Sequence, residues 1–236
     1  MGQITGDEVM LYLWQNDNTV VIGRNRNAWK ECRHLELERE GGKLARRLSG
    51  GGAVYHDLGN LNFTFIMNKK HYNIEKQLSV ILQAVTKLGI KAEFSGRNDL
   101  VIEGKKFSGS AYYFNKESAL HHGTILINSN LTKLSRYLQV SREKIVSKGI
   151  DSVQSRVVNL VEVCQDVTLA AVIKGMEESF IDIYGVDARE IAVDRNDFKI
   201  ESLVREPLPP TQHLLLVEQE LGKRKMKISI NNGLRM

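Results

Sequence analysis

Hydrophobic positions along this chain change their period several times, and each change marks an element. Residues 9–14 and 19–23 are apolar, strand-like runs on either side of Gln15-Asn16-Asp17-Asn18. That pattern predicts a β-hairpin. Asn27 can cap a helix over about 28–40, and Gly41-Gly42 would end it. A β segment is expected over about 43–67, interrupted by Gly50-Gly51-Gly52 and by Asp57-Leu58-Gly59. Within it, Leu61-Asn62-Phe63-Thr64-Phe65 alternates with period two, as a half-buried strand does. From Asn73 the period becomes helical. Ile74, Leu78, Ile81, Leu82, Val85 and Leu88 share one face before Gly89. Strands are then expected at 92–94, 100–102, 106–114 and 124–127, with Glu103-Gly104 as a tight turn, followed by a short helix at 131–138. Thr168 caps a last helix, with Leu169, Val172, Ile173, Met176, Phe180 and Ile183 at helical spacing before Gly185.

This order does not repeat β-α-β units. It predicts an α+β fold in which a mixed, mostly antiparallel sheet is flanked by helices. All three prolines fall in Pro207-Leu208-Pro209-Pro210, which reads as a linker. We therefore expect one large domain over 1–206. Residues 207–236 form a linker and short tail, with one short helix and one strand at 226–230, too little for an independent domain.

Composition narrows the classes. The chain has 236 residues, 42% of them hydrophobic, enough for a substantial core. Its net charge is +5. An excess of that sign suits an anionic partner, but it is modest and spread along the chain, so nucleic acid is not expected. No apolar run reaches membrane-spanning length, so no membrane is expected either. Cys32 and Cys164 are the only cysteines and lie far apart. They make no disulfide framework, and a cytoplasmic location follows as the expectation.

Two segments carry candidate chemistry. The first is Arg46-Arg47-Leu48-Ser49-Gly50-Gly51-Gly52-Ala53-Val54-Tyr55-His56-Asp57-Leu58-Gly59-Asn60. Its glycines let backbone amides approach a ligand and form an anion-binding nest. Arg47 beside it has the planar fork that pairs with phosphate or carboxylate. The spacing is neither that of a P-loop nor that of a dinucleotide fingerprint. The second is Asn98-Asp99-Leu100 followed by Gly104-Lys105-Lys106-Phe107-Ser108-Gly109-Ser110-Ala111. On a regular strand Lys106, Ser108 and Ser110 would share one face, with Lys105, Phe107 and Gly109 on the other. His121-His122 is a poor metal pair, because adjacent strand residues face opposite ways. One is expected in the core or at the surface, and the other at the border of a pocket.

These blocks resemble the lipoate–protein ligase family. The likeness includes His121-His122-Gly123-Thr124, Ser155-Arg156-Val157-Val158-Asn159-Leu160, Trp14-Gln15-Asn16 and residues 21–27, and it covers about 9–187. It implies activation of lipoate by ATP with Mg²⁺, giving lipoyl-AMP and pyrophosphate, and then attack by an acceptor lysine that releases AMP. Lys106 matches the family lysine that contacts the lipoyl carbonyl and the phosphate. Arg47 and the run Gly52-Ala53-Val54-Tyr55 match the nucleotide-binding segment, with Ser49 and Gly51 beside it, and Asp99 matches an acidic position near the adenylate. His122 is the candidate contact to lipoate. The implied partners are lipoyl-domain proteins, namely acyltransferase subunits of 2-oxoacid dehydrogenases and the carrier protein of glycine cleavage. The family also carries an N-terminal helix, a Trp-x-Tyr-Gly-Lys-Ser/Thr-Pro segment and a C-terminal accessory domain. None is recognised in this sequence, so a separate accessory chain is a further expected partner.

Three other readings compete. An octanoyl or lipoyl transferase of the same fold would use a cysteine shortly before the lysine block, and none lies between Cys32 and Cys164. A biotin ligase would show a Gly-Arg-Gly-Arg-type loop, which the sequence lacks. A non-catalytic lipoate-binding protein would not need Arg47, the glycine block and Lys106 together.

Overall fold

A computed structural model of the chain describes residues 8–96, 98–139, 156–185, 188–190 and 226–231. The boundary expected at 206/207, the proline run and the helix expected in the tail lie outside them, as does Ser155 of the Ser-Arg-Val block. Eleven strands fall among the described residues: β1 Glu8–Trp14, β2 Thr19–Ile22, β3 Lys43–Arg46, β4 Val54–His56, β5 Asn60–Asn68, β6 Glu93–Ser95, β7 Asp99–Ile102, β8 Lys105–Phe114, β9 Ser118–Leu126, β10 Ala188–Glu190 and β11 Met226–Asn231. The helices are α1 Ala28–Glu31, α2 His34–Arg39, α3 Ile74–Lys87, α4 Leu131–Tyr137, α5 Leu160–Val163 and α6 Leu169–Tyr184.

The strands form two sheets. The larger has the order β10-β11-β1-β5-β9-β8-β7-β6, with antiparallel neighbours throughout. The smaller has the order β3-β2-β4, with β2 parallel to β3 and antiparallel to β4. The α+β expectation therefore holds.

Period-two alternation explains the main core. Leu61, Phe63, Phe65 and Met67 of β5 are fully buried beneath α3 and α6, where Ile81, Val85, Val172, Met176 and Phe180 meet them. Asn73 caps α3 by accepting the Lys76 N–H, and Thr168 caps α6 by accepting the Ala171 N–H. A second core lies beneath the small sheet, where Val20, Ile22 and Tyr55 pack on Leu37, Leu134 and Tyr137 of α2 and α4.

Three local expectations are corrected. First, β1 and β2 make no hairpin. The ladders of β1 are filled by β5 and β11 and those of β2 by β3 and β4, so Gln15-Asn16-Asp17-Asn18 carries the chain from one sheet to the other. Second, the helix expected over 28–40 is broken after Glu31. Cys32 is extended (φ −136°, ψ 135°), bridges to Leu138 and is buried in the second core. Asn27 does cap α1, accepting the Trp29 N–H at 2.9 Å. Third, the strand expected at 124–127 begins at Ser118, so both histidines of the His-His pair lie inside β9.

Candidate functional site: a cavity between two sheets

The face of the large sheet opposite α3 and α6 is built from cross-strand rows. Register places Gly109, Thr124, Asn62 and Trp14 side by side across β8, β9, β5 and β1, and Ala111, His122, Thr64 and Tyr12 in the next row. Residues opposite one another on neighbouring strands face the same side. The small sheet lies over this floor with Val21, Val54 and His56 turned toward it, while Val20, Ile22 and Tyr55 turn to the second core. The space between them is a cavity of about 420 Å³. Trp14 and His56 meet edge to face at one end, with ring centroids 6.0 Å apart. Lys106, Asp99 and Gly51 stand at the other end, which is the more exposed.

Lys106 and Asp99 are brought together across β7 and β8. Lys106 Nζ lies 2.8 Å from Asp99 Oδ1, with both side chains over one-third exposed. The face assignment for this strand is corrected by a β-bulge. Leu100 pairs with Ser108 and Val101 with Lys106, so Phe107 is the extra residue. Beyond the bulge the parity changes. Gly109 shares the face of Lys106, and a Cβ there would overlap Lys106 Cε and Nζ. Ser108 pairs with Leu100, is fully buried, and its Oγ has no hydrogen-bond partner among the described residues. Ser110 Oγ donates to the Asn98 carbonyl at 3.1 Å. It is Gly109, by lacking a side chain, that leaves room beside the ammonium.

The glycine block is held by Arg47. Its Nη1 donates to Val21 O at 3.0 Å and its Nη2 to Gly50 O at 2.8 Å and Gly52 O at 2.7 Å. Its Nε contacts Ser49 Oγ and Gly50 O, each at 3.2 Å. Gly51 has φ +98°, a conformation that side chains with a Cβ rarely adopt. Most of the Arg47 fork is thus committed to shaping the loop. Burial lowers the pKa of Arg47, and Glu31 acts in the opposite direction. Glu31, 22 residues upstream of Ala53, accepts the Ala53 N–H at 2.7 Å and sits 3.4 Å from Arg26 Nε. Nothing in the sequence signalled that contact. Val54 lines the cavity directly. The Tyr55 ring belongs to the second core, packed on Tyr137 with its hydroxyl donating to Asn18 Oδ1 at 3.1 Å.

The two adjacent histidines separate as alternation requires. His121 is buried in the main core, stacked on Phe65 at 5.8 Å, and neither ring nitrogen has a partner among the described residues. His122 lines the cavity with Nε2 2.6 Å from Ser49 Oγ. Burial, reinforced by Arg47, lowers the pKa of His122 to about 4. Burial, with Arg47 and His122 adding to it, lowers that of His56 to about 3. Both imidazoles are neutral at pH 7.

Trp14, His56, Asn62 and Thr124 also line the cavity, and none of them was named as a site residue from the sequence. Polar Asn62 and Thr64 alternating with Phe63 and Phe65 was the available signal. A strand polar on one face needs water or a ligand on that side. Among the described residues, no three His, Cys, Asp or Glu side chains converge to hold a metal. Neither cysteine lines the cavity.

A family model described as the lipoyl protein ligase A/B catalytic domain matches residues 3–181. Solved structures agree with it. A bi-partite lipoate protein ligase from Thermoplasma acidophilum, described with its E2 lipoyl domain, is 30% identical, with 76% of this chain and 72% of that one covered at a TM-score of 0.67. P. falciparum LipL1 in complex with lipoate is 37% identical over 74% of this chain, at a TM-score of 0.63. The match covers only 49% of that protein, so this chain spans about half its length. A lipoate-protein ligase A bound with ATP is 27% identical, with 75% and 73% of the two chains covered and a TM-score of 0.67.

Proposed function

The chain belongs to the family of the lipoyl protein ligase A/B catalytic domain, and from that premise we propose that it activates lipoate with ATP and transfers the lipoyl group to a lysine of a lipoyl-domain protein. The observation that carries this reading is the ammonium of Lys106, which lines the same cavity as the glycine block and is paired with Asp99. A related protein binds lipoate, another binds ATP, and a third is described with its E2 lipoyl domain.

In the first step the lipoate carboxylate attacks the α-phosphorus of ATP. Lipoyl-AMP forms and pyrophosphate leaves. In the second, an acceptor amine attacks the acyl carbon, an amide forms, and AMP leaves as the amine loses a proton. Negative charge develops on the phosphoryl oxygens in one step and on the carbonyl oxygen in the other. Lys106 stands where both would be met, as a fixed cation in a partly enclosed site. The loop shaped by Arg47 would present backbone amides to the phosphate, with Ser49, Gly51, Gly52 and Val54 along it and the Ala53 N–H held by Glu31. The cavity holds acid and nucleotide together and so supplies proximity. Mg²⁺ usually keeps to substrate phosphates plus one or two carboxylates. Asp99, paired with Lys106, is the carboxylate that would join the phosphates in holding the ion, which would neutralise phosphate charge.

Acyltransferase subunits of 2-oxoacid dehydrogenases and the glycine-cleavage carrier protein are the proposed acceptors. A cytosolic location belongs to the same proposal, in keeping with two free cysteines. No described helix is long and apolar enough to cross a membrane. The transferase reading is disfavoured because no cysteine reaches the cavity. The test is exchange of labelled pyrophosphate into ATP. Exchange that depends on lipoate is expected. Its absence, with an acyl-cysteine found by mass spectrometry, would replace this reading with the transferase one. Because adenylation needs the reactants closed off from water and a related ligase is bi-partite, we also propose that a second chain accelerates the first step. Lipoylation from preformed lipoyl-AMP should then exceed lipoylation from ATP plus lipoate on the same preparation.

A further inference from the structure

One peptide unit in the glycine block is held at both ends by ionised side chains. The Gly52 carbonyl accepts from Arg47 Nη2 at 2.7 Å, and the Ala53 N–H donates to Glu31 Oε2 at 2.7 Å. In a trans peptide these two groups point in opposite directions, so the guanidinium and the carboxylate grip the unit from opposite sides. Turning it over would set the carbonyl oxygen against Glu31 and the N–H against Arg47, and each charge opposes that arrangement. Gly52 has no Cβ to restrain its side of the unit.

The chain places Glu31 there by breaking a helix. Asn27 caps α1, Glu31 ends it, and Cys32 turns extended to enter the second core. The Glu31 side chain is only 12% exposed. Its other partner is Arg26, whose Nε lies 3.4 Å away on a half-exposed side chain, a contact of little weight by itself. The segment before the helix is tied to the same block. The Arg24 N–H donates to the Ser49 carbonyl at 2.8 Å, and Arg46 Nη1 donates to the carbonyls of Gly23, Arg24 and Arg26. Gly23 approaches so closely that a Cβ there would overlap the Gly51 carbonyl oxygen. Gly51, Gly52 and Ala53 line the cavity, whereas none of residues 23–31 does. Residues 23–31 are thus a brace behind the block, and Glu31 is its charged contact.

We propose that Glu31 is a positioning residue for the nucleotide: from behind the glycine block it keeps the Gly52–Ala53 unit, and with it the neighbouring amides, in the arrangement that receives the phosphates. The proposal rests on the ligase reading and adds to it a residue that touches neither substrate. Three successive glycines leave a loop many conformations. Where only a fraction of them can bind, the apparent dissociation constant rises by the inverse of that fraction. Glu31 raises the competent fraction before ATP arrives. A carboxylate aimed at a phosphate site would repel the ligand. Here its charge is met by the Ala53 N–H, by Arg26 and by the neighbouring Arg47.

The experiment uses the full chain. It measures ATP affinity by calorimetry, and KM for ATP, KM for lipoate and kcat in lipoate-dependent pyrophosphate exchange. Glu31→Ala should raise both the dissociation constant and KM for ATP by roughly 10- to 100-fold, the scale of a hydrogen bond to a charged group. KM for lipoate and kcat at saturating ATP should change little. Glu31→Gln keeps an oxygen for the Ala53 N–H in a side chain of the same shape. It should recover most of the loss, with KM for ATP still above that of the wild type because the charge is gone. This variant carries the test should Glu31→Ala fold poorly. A residue with a merely structural role would lower kcat through the active fraction and leave KM for ATP where it was. That outcome would overturn the proposal, as would unmoved ATP affinity in Glu31→Gln, or tighter binding in Glu31→Ala through loss of a repelling charge. A wild-type protein that neither binds ATP nor supports exchange would instead sink the ligase reading, and this inference with it.

Discussion

Lys106 owes its setting to one neighbour that attracts it and one that makes way for it. Asp99 pairs with its ammonium, and Gly109 leaves the space that the side chain crosses. A pair this exposed contributes roughly 0–1 kcal/mol to stability, so Lys106→Ala should fold normally. Its loss should appear in the chemistry, at about 10²- to 10³-fold in each half-reaction. Single-turnover assays from ATP plus lipoate and from lipoyl-AMP check this, and rates like those of the parent would remove Lys106 from the site. Lys105 is exposed on the opposite side, so Lys105→Ala should have much the milder effect. Gly109→Ala is the sharper probe of geometry. The new methyl group would occupy the volume of Lys106 Cε and Nζ, so activity should fall with the lysine still present. A fully active Gly109→Ala would show that Lys106 works from another position.

At the scale of the element, the glycine block is a loop shaped by a side chain within it. Arg47 donates to carbonyls at Val21, Gly50 and Gly52, which joins the loop to β2 and fixes its curvature. Lysine keeps the charge but cannot make the forked contact. Arg47→Lys should therefore weaken binding of lipoyl-AMP and quicken proteolysis within 48–53. Gly51→Val should do the same more strongly, because φ +98° excludes valine and its side chain would crowd Arg47 Nη2. Calorimetry and limited digestion with a broad-specificity protease check both variants, and unchanged affinity would reduce the block to an ordinary turn. The sequence showed this loop and nearly every strand and helix around it, because period and capping are local properties. It did not show which strands pair. The run at 19–22 looked like the partner of 9–14, yet its backbone groups are taken by β3 and β4. Nor did it show the bulge at Phe107, which depends on the register against β7. That single extra residue moved Ser108 away from the face of Lys106 and put Gly109 in its place. His56, Asn62 and Trp14 were overlooked for the same reason, since each belongs to the cavity only once two sheets face each other.

For the whole molecule, two sheets facing across a cavity mean that neutral imidazoles are buried at the junction. His56 comes from the small sheet and His122 from the large one, while His121 lies just beneath in the main core. Burial lowers His56 and His121 to about 3 and His122 to about 4, with the Arg47 and His122 charges adding to the effect. In the unfolded chain all three take up protons near pH 6.5. Between that value and the native ones the unfolded state binds more protons, so stability is full above pH 6.5 and is lost as the pH falls. Each proton contributes about 1.4 kcal/mol per pH unit. The fall from pH 7.5 to 5.0 should thus amount to a few kcal/mol, above the range where most carboxylates titrate. A urea midpoint that stays level between those two pH values would show that the native imidazoles accept protons freely. His121 allows the effect to be apportioned. It stacks on Phe65, meets Phe63 edge to face and has no hydrogen-bond partner among the described residues, so phenylalanine suits its surroundings. His121→Phe should stabilise the protein, by more at pH 5.0 than at pH 7.5, and should lower the slope by about one proton. A gain that is the same at both pH values would mean that packing alone accounts for it and that His121 does not contribute to acid sensitivity.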